Sequence, residues 1–137
     1  MASVPDMVKK QPARIAVIFP GQGSQAVAMT SELAEIYPEI RDTFTEASEA
    51  LGEDLWAICQ DEEKLNQTEY TQPALLTASI AIWRVLQQKI EETPCYLAGH
   101  SLGEYSALCA ANVISLGDAV TLVHKRGQLM QEAVVGV

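Results

Sequence analysis

The sequence predicts an α/β fold built on a parallel sheet, and three observations predict it. Two short apolar runs, Ile15–Phe19 ("IAVIF") and Cys95–Gly99 ("CYLAG"), have the length and composition of strands covered on both faces. Between and after them, apolar residues recur at helical spacing. Strand-like and helical stretches therefore alternate along the chain, which is the pattern of the α/β class.

The elements follow in order. Met1 to Arg14 is polar, carries Pro5 and Pro12, and is expected to be a flexible leader before a domain over residues 15–137. The first strand ends at Pro20 and Gly21, and "PGQGSQ" reads as a turn. A helical pattern runs from about Ala26 to Leu51. It is interrupted at Tyr37-Pro38, because the residue before a proline avoids the α region, and Gly52 is its C-cap. "EDLWAICQ" supplies one or two turns and "DEEKLNQTEYTQ" a polar connection. Pro73, at a first helical position, opens the clearest helix. Its Leu75, Ser79, Ile82, Trp83, Leu86 and Ile90 make one buried stripe. The second strand runs straight into a helix from about Leu102 to Ala111. Ser115, with Asp118 three residues on, forms a capping box for a last helix reaching about Ala133. Two parallel strands this apolar need neighbours at their edges and cover on both faces. The chain is therefore expected to be part of a larger domain.

At 137 residues and 48% hydrophobic, the chain suits one globular domain. Eighteen acidic against nine basic side chains give a net charge of −9, and no Lys/Arg cluster exceeds the pairs Lys9-Lys10 and Lys125-Arg126. That balance argues against nucleic-acid binding. No apolar run approaches the roughly 18 residues of a membrane span, and the leader lacks the apolar core of a signal peptide. A cytoplasmic protein without membrane association is expected. Cys59, Cys95 and Cys109 are odd in number and lack metal-ligand spacing, so no metal site is expected. Cys95 and Cys109 lie among apolar residues and read as small core side chains in a reducing compartment.

The chemistry concentrates at Gly99-His100-Ser101-Leu102-Gly103, a G-x-S-x-G pattern between a strand and a helix. That context is the one a nucleophile elbow requires. The glycines allow a sharp turn that thrusts Ser101 out, and the backbone N–H of Leu102 can face a developing oxyanion. The alternative is a tight turn whose serine only caps the helix. His100 fails as the general base, because neighbouring side chains on a sharp turn diverge while the imidazole must come within ~3 Å of the hydroxyl. It is expected to pack beneath the turn and bond the local backbone. His124 shares a largely polar helix face with Val120, Gln128 and Gln131 and reads as a surface residue. The base is therefore expected outside this chain.

Arg126 stands out on the last helix, where Ala119, Leu122, Val123, Met130 and Ala133 share one face and the arginine lies among them. A buried guanidinium needs a carboxylate or several acceptors. An internal salt bridge or a side chain snorkelling to the surface is one reading. Bidentate binding of a substrate carboxylate is the other. In "PGQGSQ", Gly21 and Gly23 permit close backbone approach to a ligand; a phosphate loop is the weaker reading, since its lysine is missing.

Taken in order, "VIFPGQGSQ", "TQPALLTASIAIWRV", "AGHSLGEYSALCAANVISLGDAV" and "KRGQLMQEAV" resemble the amino-terminal part of the malonyl-CoA:acyl-carrier-protein transacylases, from about Ile15 to Val134. The resemblance implies part of a hydrolase-like parallel-sheet subdomain with flanking helices, the small ferredoxin-like subdomain being absent. It implies Ser101 as nucleophile, Gln22 and Leu102 as oxyanion donors through their backbone N–H groups, and Arg126 as the grip on the malonyl carboxylate. Malonyl-CoA is then the substrate and acyl carrier protein the partner in fatty acid biosynthesis, with no cofactor and with ping-pong transfer through an acyl-serine. The aliphatic Leu102 after the serine hints at malonyl over branched extenders. The catalytic histidine and a carboxylate-orienting segment would lie in the part not present, so residues 1–137 alone are expected to be inactive. Two departures are the long leader before Ile15 and "VVGV" after Ala133. The competing functions are a serine hydrolase or esterase on a similar sheet, releasing free malonate, and a non-catalytic half-domain that acts by association.

Overall fold

A computed structural model describes residues 13–136. The expected leader, Met1 to Arg14, lies outside the described residues except for its last two positions, as does Val137. Strand β1, Ala16–Phe19, and strand β2, Tyr96–Gly99, pair in parallel, with register running from Ala16 opposite Tyr96 to Phe19 opposite Gly99. Seven helices surround them among the described residues: α1 Ser31–Ile36, α2 Pro38–Leu51, α3 Leu55–Cys59, α4 Glu62–Leu65, α5 Thr68–Lys89, α6 Leu102–Ala110 and α7 Leu116–Ala133.

The local signals explain most of these boundaries. Tyr37, extended at φ −118° and ψ 106°, separates α1 from α2 because Pro38 follows it. Gly52, at φ 79°, ends α2 in the left-handed conformation that glycine adopts without strain. Ser115 Oγ accepts from the Asp118 N–H at 3.1 Å and starts α7 as expected. The first helix, however, begins at Ser31 rather than Ala26, since Ala28 (φ 58°) and Thr30 (φ 74°) are left-handed. The run read as a polar connection is also helical. Asp61 Oδ1 accepts from Lys64 N and caps α4, and α5 starts at Thr68. Pro73 therefore lies inside α5 rather than opening it.

α5 is the central strut, packed against α7, α2, α6 and α3. Every residue from Thr71 to Ala81 is buried, a wider surface than the single stripe expected. Of that stripe, Leu75, Ser79 and Trp83 are buried, but Ile82 is exposed. Ile40 and Phe44 from α2, Leu55 from α3 and Val120 and Val123 from α7 complete the core.

The strands are covered on one face only. Phe19 packs edge-to-face on Trp83 of α5, with ring centroids 6.1 Å apart. On the other face Ile18 is 76% and Tyr96 73% exposed, so the expectation of two-sided burial is not met within these residues. An apolar groove of about 140 Å³, lined by Ile18, Ile82, Trp83 and Leu86 among others, runs beside β1.

The cysteines divide in the same way. Cys59 and Cys109 are buried, but Cys95 is exposed at the start of β2, which corrects its assignment to the core. Burial pushes the Cys59 thiol up to about 12 and raises that of Cys109. In the folded protein Cys95 should therefore react first with iodoacetamide, and Cys59 only on unfolding, as peptide mapping would show. The linkage has a definite sign. Above pH 9 the unfolded Cys59 loses its proton while the folded one keeps it, so stability should fall between about pH 9 and 12, and less steeply in Cys59→Ala, where the raised Cys109 remains. A flat denaturation midpoint across that window would contradict it.

Candidate functional site

The turn from β2 into α6 is shaped by two glycines. A Cβ on Gly99 would collide with the backbone of Gly103, and one on Gly103 with the Phe19 carbonyl. Glycines at both positions let α6 start directly above the strand ends. Ser101, between them, is held at φ 56° and ψ −118°, a region that non-glycine residues enter only under strain.

That serine does not cap its helix: its side chain makes no capping bond. Instead, Ser101 Oγ accepts a hydrogen bond from Arg126 Nη2 at 3.0 Å. Arg126 Nη1 donates to Gln72 Oε1 at 2.6 Å, and its guanidinium lies 5.3 Å over the Tyr105 ring. Gln72 is fully buried in α5, and its Nε2 donates to Gln22 Oε1 at 2.9 Å. Gln22 Nε2 in turn donates to Thr68 Oγ1 at 3.4 Å. A guanidinium can only donate, so the direction of every bond in this chain is dictated by Arg126.

Arg126 donates to two neutral acceptors, Gln72 and Ser101, and no carboxylate pairs with it among the described residues. Among the described residues the one ion pair is Arg84 with Glu46, at 2.7 Å. The salt-bridge reading of Arg126 is thus not what the described residues contain. Its setting also differs from the stripe expected for α7. The buried face is Leu116, Ala119, Val120, Val123 and Gly127, while Leu122, Met130 and Ala133 are exposed and Arg126 is half-buried at the margin. One positive charge therefore faces the serine, held by neutral groups.

Two amide N–H groups near the serine turn have no hydrogen-bond acceptor among the described residues. Leu102 is the first residue of α6, and its N–H has no acceptor among the described residues. The Gly21–Gln22 turn abuts the serine: a Cβ on Gly21 would lie 2.9 Å from the His100 carbonyl and 3.9 Å from Ser101 Cβ. The Gln22 N–H is likewise unbonded among the described residues. The structure thus gathers Gln22, Ser101, Leu102 and Arg126 in one place.

The two histidines behave differently from expectation. His100 is exposed rather than packed beneath the turn, and its ring makes no hydrogen bond among the described residues. His124 is half-buried rather than a surface residue, with Nδ1 2.9 Å from the Glu69 carbonyl and its ring stacked on Tyr70. Neither reaches Ser101. Among the described residues no cluster of metal-ligating side chains occurs, and no helix is long and apolar enough to cross a membrane.

The sequence reading missed Gln72 and Tyr105. A signal for Gln72 was available: it is the polar residue just before Pro73 at the head of a long apolar helix, and such a residue needs a partner. Tyr105, four residues after Ser101 in α6, had no distinguishing signal.

The sequence matches the family described as "Acyl transferase domain" over residues 16–136. The malonyl CoA-acyl carrier protein transacylase of Salmonella typhimurium is 59% identical over 123 residues, which cover 88% of this chain and 40% of that protein. An acyl carrier protein S-malonyltransferase from Vibrio cholerae superposes with a TM-score of 0.85 at 62% identity, covering 89% of this chain and 40% of that one. A malonyl-transacylase solved in complex with a type II PKS acyl-carrier protein does so at 0.84 and 55% identity, covering 89% and 40%. The chain spans about 40% of the length of the curated relatives it matches.

Proposed function

Because the chain belongs to the acyl transferase domain family, we propose that it is the serine-bearing part of a malonyl-CoA:acyl-carrier-protein transacylase of fatty acid biosynthesis. The observation that carries this reading is the Arg126 guanidinium hydrogen-bonded to Ser101 Oγ at 3.0 Å, with no carboxylate partner among the described residues. A cation beside a nucleophile suits an acyl group that carries its own carboxylate. In a malonyl thioester one methylene separates the carboxylate from the reacting carbonyl. A carboxylate gripped by Arg126 thus brings that carbonyl beside the serine. An ordinary esterase has no use for such a charge.

In this mechanism Ser101 Oγ attacks the thioester carbonyl, and the strained turn serves as a nucleophile elbow. The Gln22 and Leu102 N–H groups hold the oxyanion. Coenzyme A leaves as its thiol and a malonyl-serine remains. The phosphopantetheine thiol of acyl carrier protein then attacks the ester and restores the hydroxyl. One structural neighbour is a malonyl-transacylase in complex with its acyl-carrier protein, and that pairing supports the acceptor. No cofactor is required. Residues 15–137 are read as part of a hydrolase-like large subdomain after a leader at 1–14, and the free thiols suit a cytoplasmic location.

The test is selectivity in a full-length enzyme that carries this chain. Arg126→Ala should cost malonyl transfer ~2–5 kcal/mol in kcat/KM, because it deletes a charge pair in a partly desolvated site. Acetyl transfer, which lacks the carboxylate, should change far less. Equal losses for the two substrates would make Arg126 a structural residue and refute the reading.

A further inference from the structure

Pro73 has no backbone N–H, so the Glu69 carbonyl, four residues earlier in α5, has no helical donor. The His124 ring of α7 fills that gap, with Nδ1 2.9 Å from Glu69 O. A carbonyl only accepts, so Nδ1 carries the proton and donates. The ring is fixed further by stacking on Tyr70, with centroids 5.8 Å apart and planes at 30°, and by Gln128 Nε2, 3.3 Å from its Nε2. At the next turn α7 presses closely on the same stretch of α5: a Cβ on Gly127 would lie 2.7 Å from both Thr68 O and Glu69 Cα. Between these contacts and the serine stand Gln72 of α5 and Arg126 of α7, joined at 2.6 Å.

We infer that His124 is a positioning residue for the reaction: its bond to the carbonyl opened by Pro73 fixes the seat of α7 on α5 and so holds Arg126 against Gln72 and Ser101. This rests on the reading of Arg126 as the carboxylate grip. The apolar packing of Val120, Val123 and Gly127 seats α7 without a directed bond and so leaves it a small pivot about its own axis. A directed bond three residues before Gly127 removes the pivot, and displacements of about 1 Å at a binding group matter greatly to rate.

The experiment uses a full-length acyltransferase carrying this chain, with malonyl and acetyl transfer measured side by side. His124→Phe keeps the ring and its stacking on Tyr70 but removes the donor. It should lower the malonyl-to-acetyl ratio of kcat/KM about 3- to 10-fold, the worth of one hydrogen bond. His124→Asn, whose amide can stand in for Nδ1–H, should restore the ratio. His124→Phe also leaves a carbonyl without a donor and could lose stability for that reason alone. Pro73→Ala supplies the missing N–H within α5 without rebuilding the link to α7. The double variant Pro73→Ala/His124→Phe should therefore regain stability and keep the depressed ratio. A ratio that returns with stability, or that never changes in His124→Phe, overturns the proposal. The control is Arg126→Ala. If it lowers both substrates equally, the carboxylate reading itself has failed. If it is selective while the His124 variants are not, only the positioning role has failed.

Discussion

Ser101→Ala, in a full-length enzyme that carries this chain, is expected to abolish malonyl transfer while leaving the fold unchanged. In the proposed mechanism the Ser101 hydroxyl, hydrogen-bonded to Arg126 at 3.0 Å, is the nucleophile, and alanine offers no substitute. Removing the nucleophile of an acyl-enzyme mechanism lowers turnover by about 10⁴-fold or more. Stability should barely move, because alanine inherits the same strained φ of 56° and the side chain caps nothing. The direct measurement is a brief reaction with malonyl-CoA, acid quench and mass spectrometry. The parent should gain one malonyl group on Ser101 and the variant none. Ser106 is fully buried within α6, and Ser24 lies on the exposed "PGQGSQ" turn. An adduct on either would show that the strained turn has been misread.

That Ser101 stands on a sharp turn was legible because the turn leaves a local trace, whereas Gln22 was singled out through the family resemblance and Arg126 through a helical stripe that is in fact partly exposed. A glycine-flanked serine between strand and helix can adopt few backbones, and "PGQGSQ" after a strand is a turn of the same kind. The class was legible for a similar reason, since short β-branched runs and helical periodicity are both local. What escaped depends on contacts distant in sequence. Gln72 joins the site only through Arg126 and Gln22, which are 54 and 50 residues away. His124 reads as a surface residue until Pro73, on another helix, leaves a carbonyl for it to meet. The α5 boundary was misplaced because a proline usually marks a helix start, and here the lost donor is replaced from outside the helix. Cys95 was assigned to the core by its apolar neighbours, yet the open face of the sheet leaves it exposed.

The 137-residue chain on its own should transfer malonyl groups at least about 10⁴-fold more slowly than a full-length enzyme that carries it, the scale of loss when a serine lacks its base. The chain has two histidines. His100 is exposed beside the turn, and His124 is committed to the Glu69 carbonyl. The group that does meet Ser101 Oγ is a guanidinium, which donates and cannot take a proton. A guanidinium in that position cannot activate the serine, and an unassisted hydroxyl is a poor nucleophile at neutral pH. The exposed Ile18 and Tyr96 add a second handicap, since an uncovered apolar sheet face promotes self-association. Steady turnover measured on monomeric 1–137, checked by light scattering and lost on Ser101→Ala, would contradict this. Loss on His100→Ala but not His124→Ala would then identify the exposed histidine as the base.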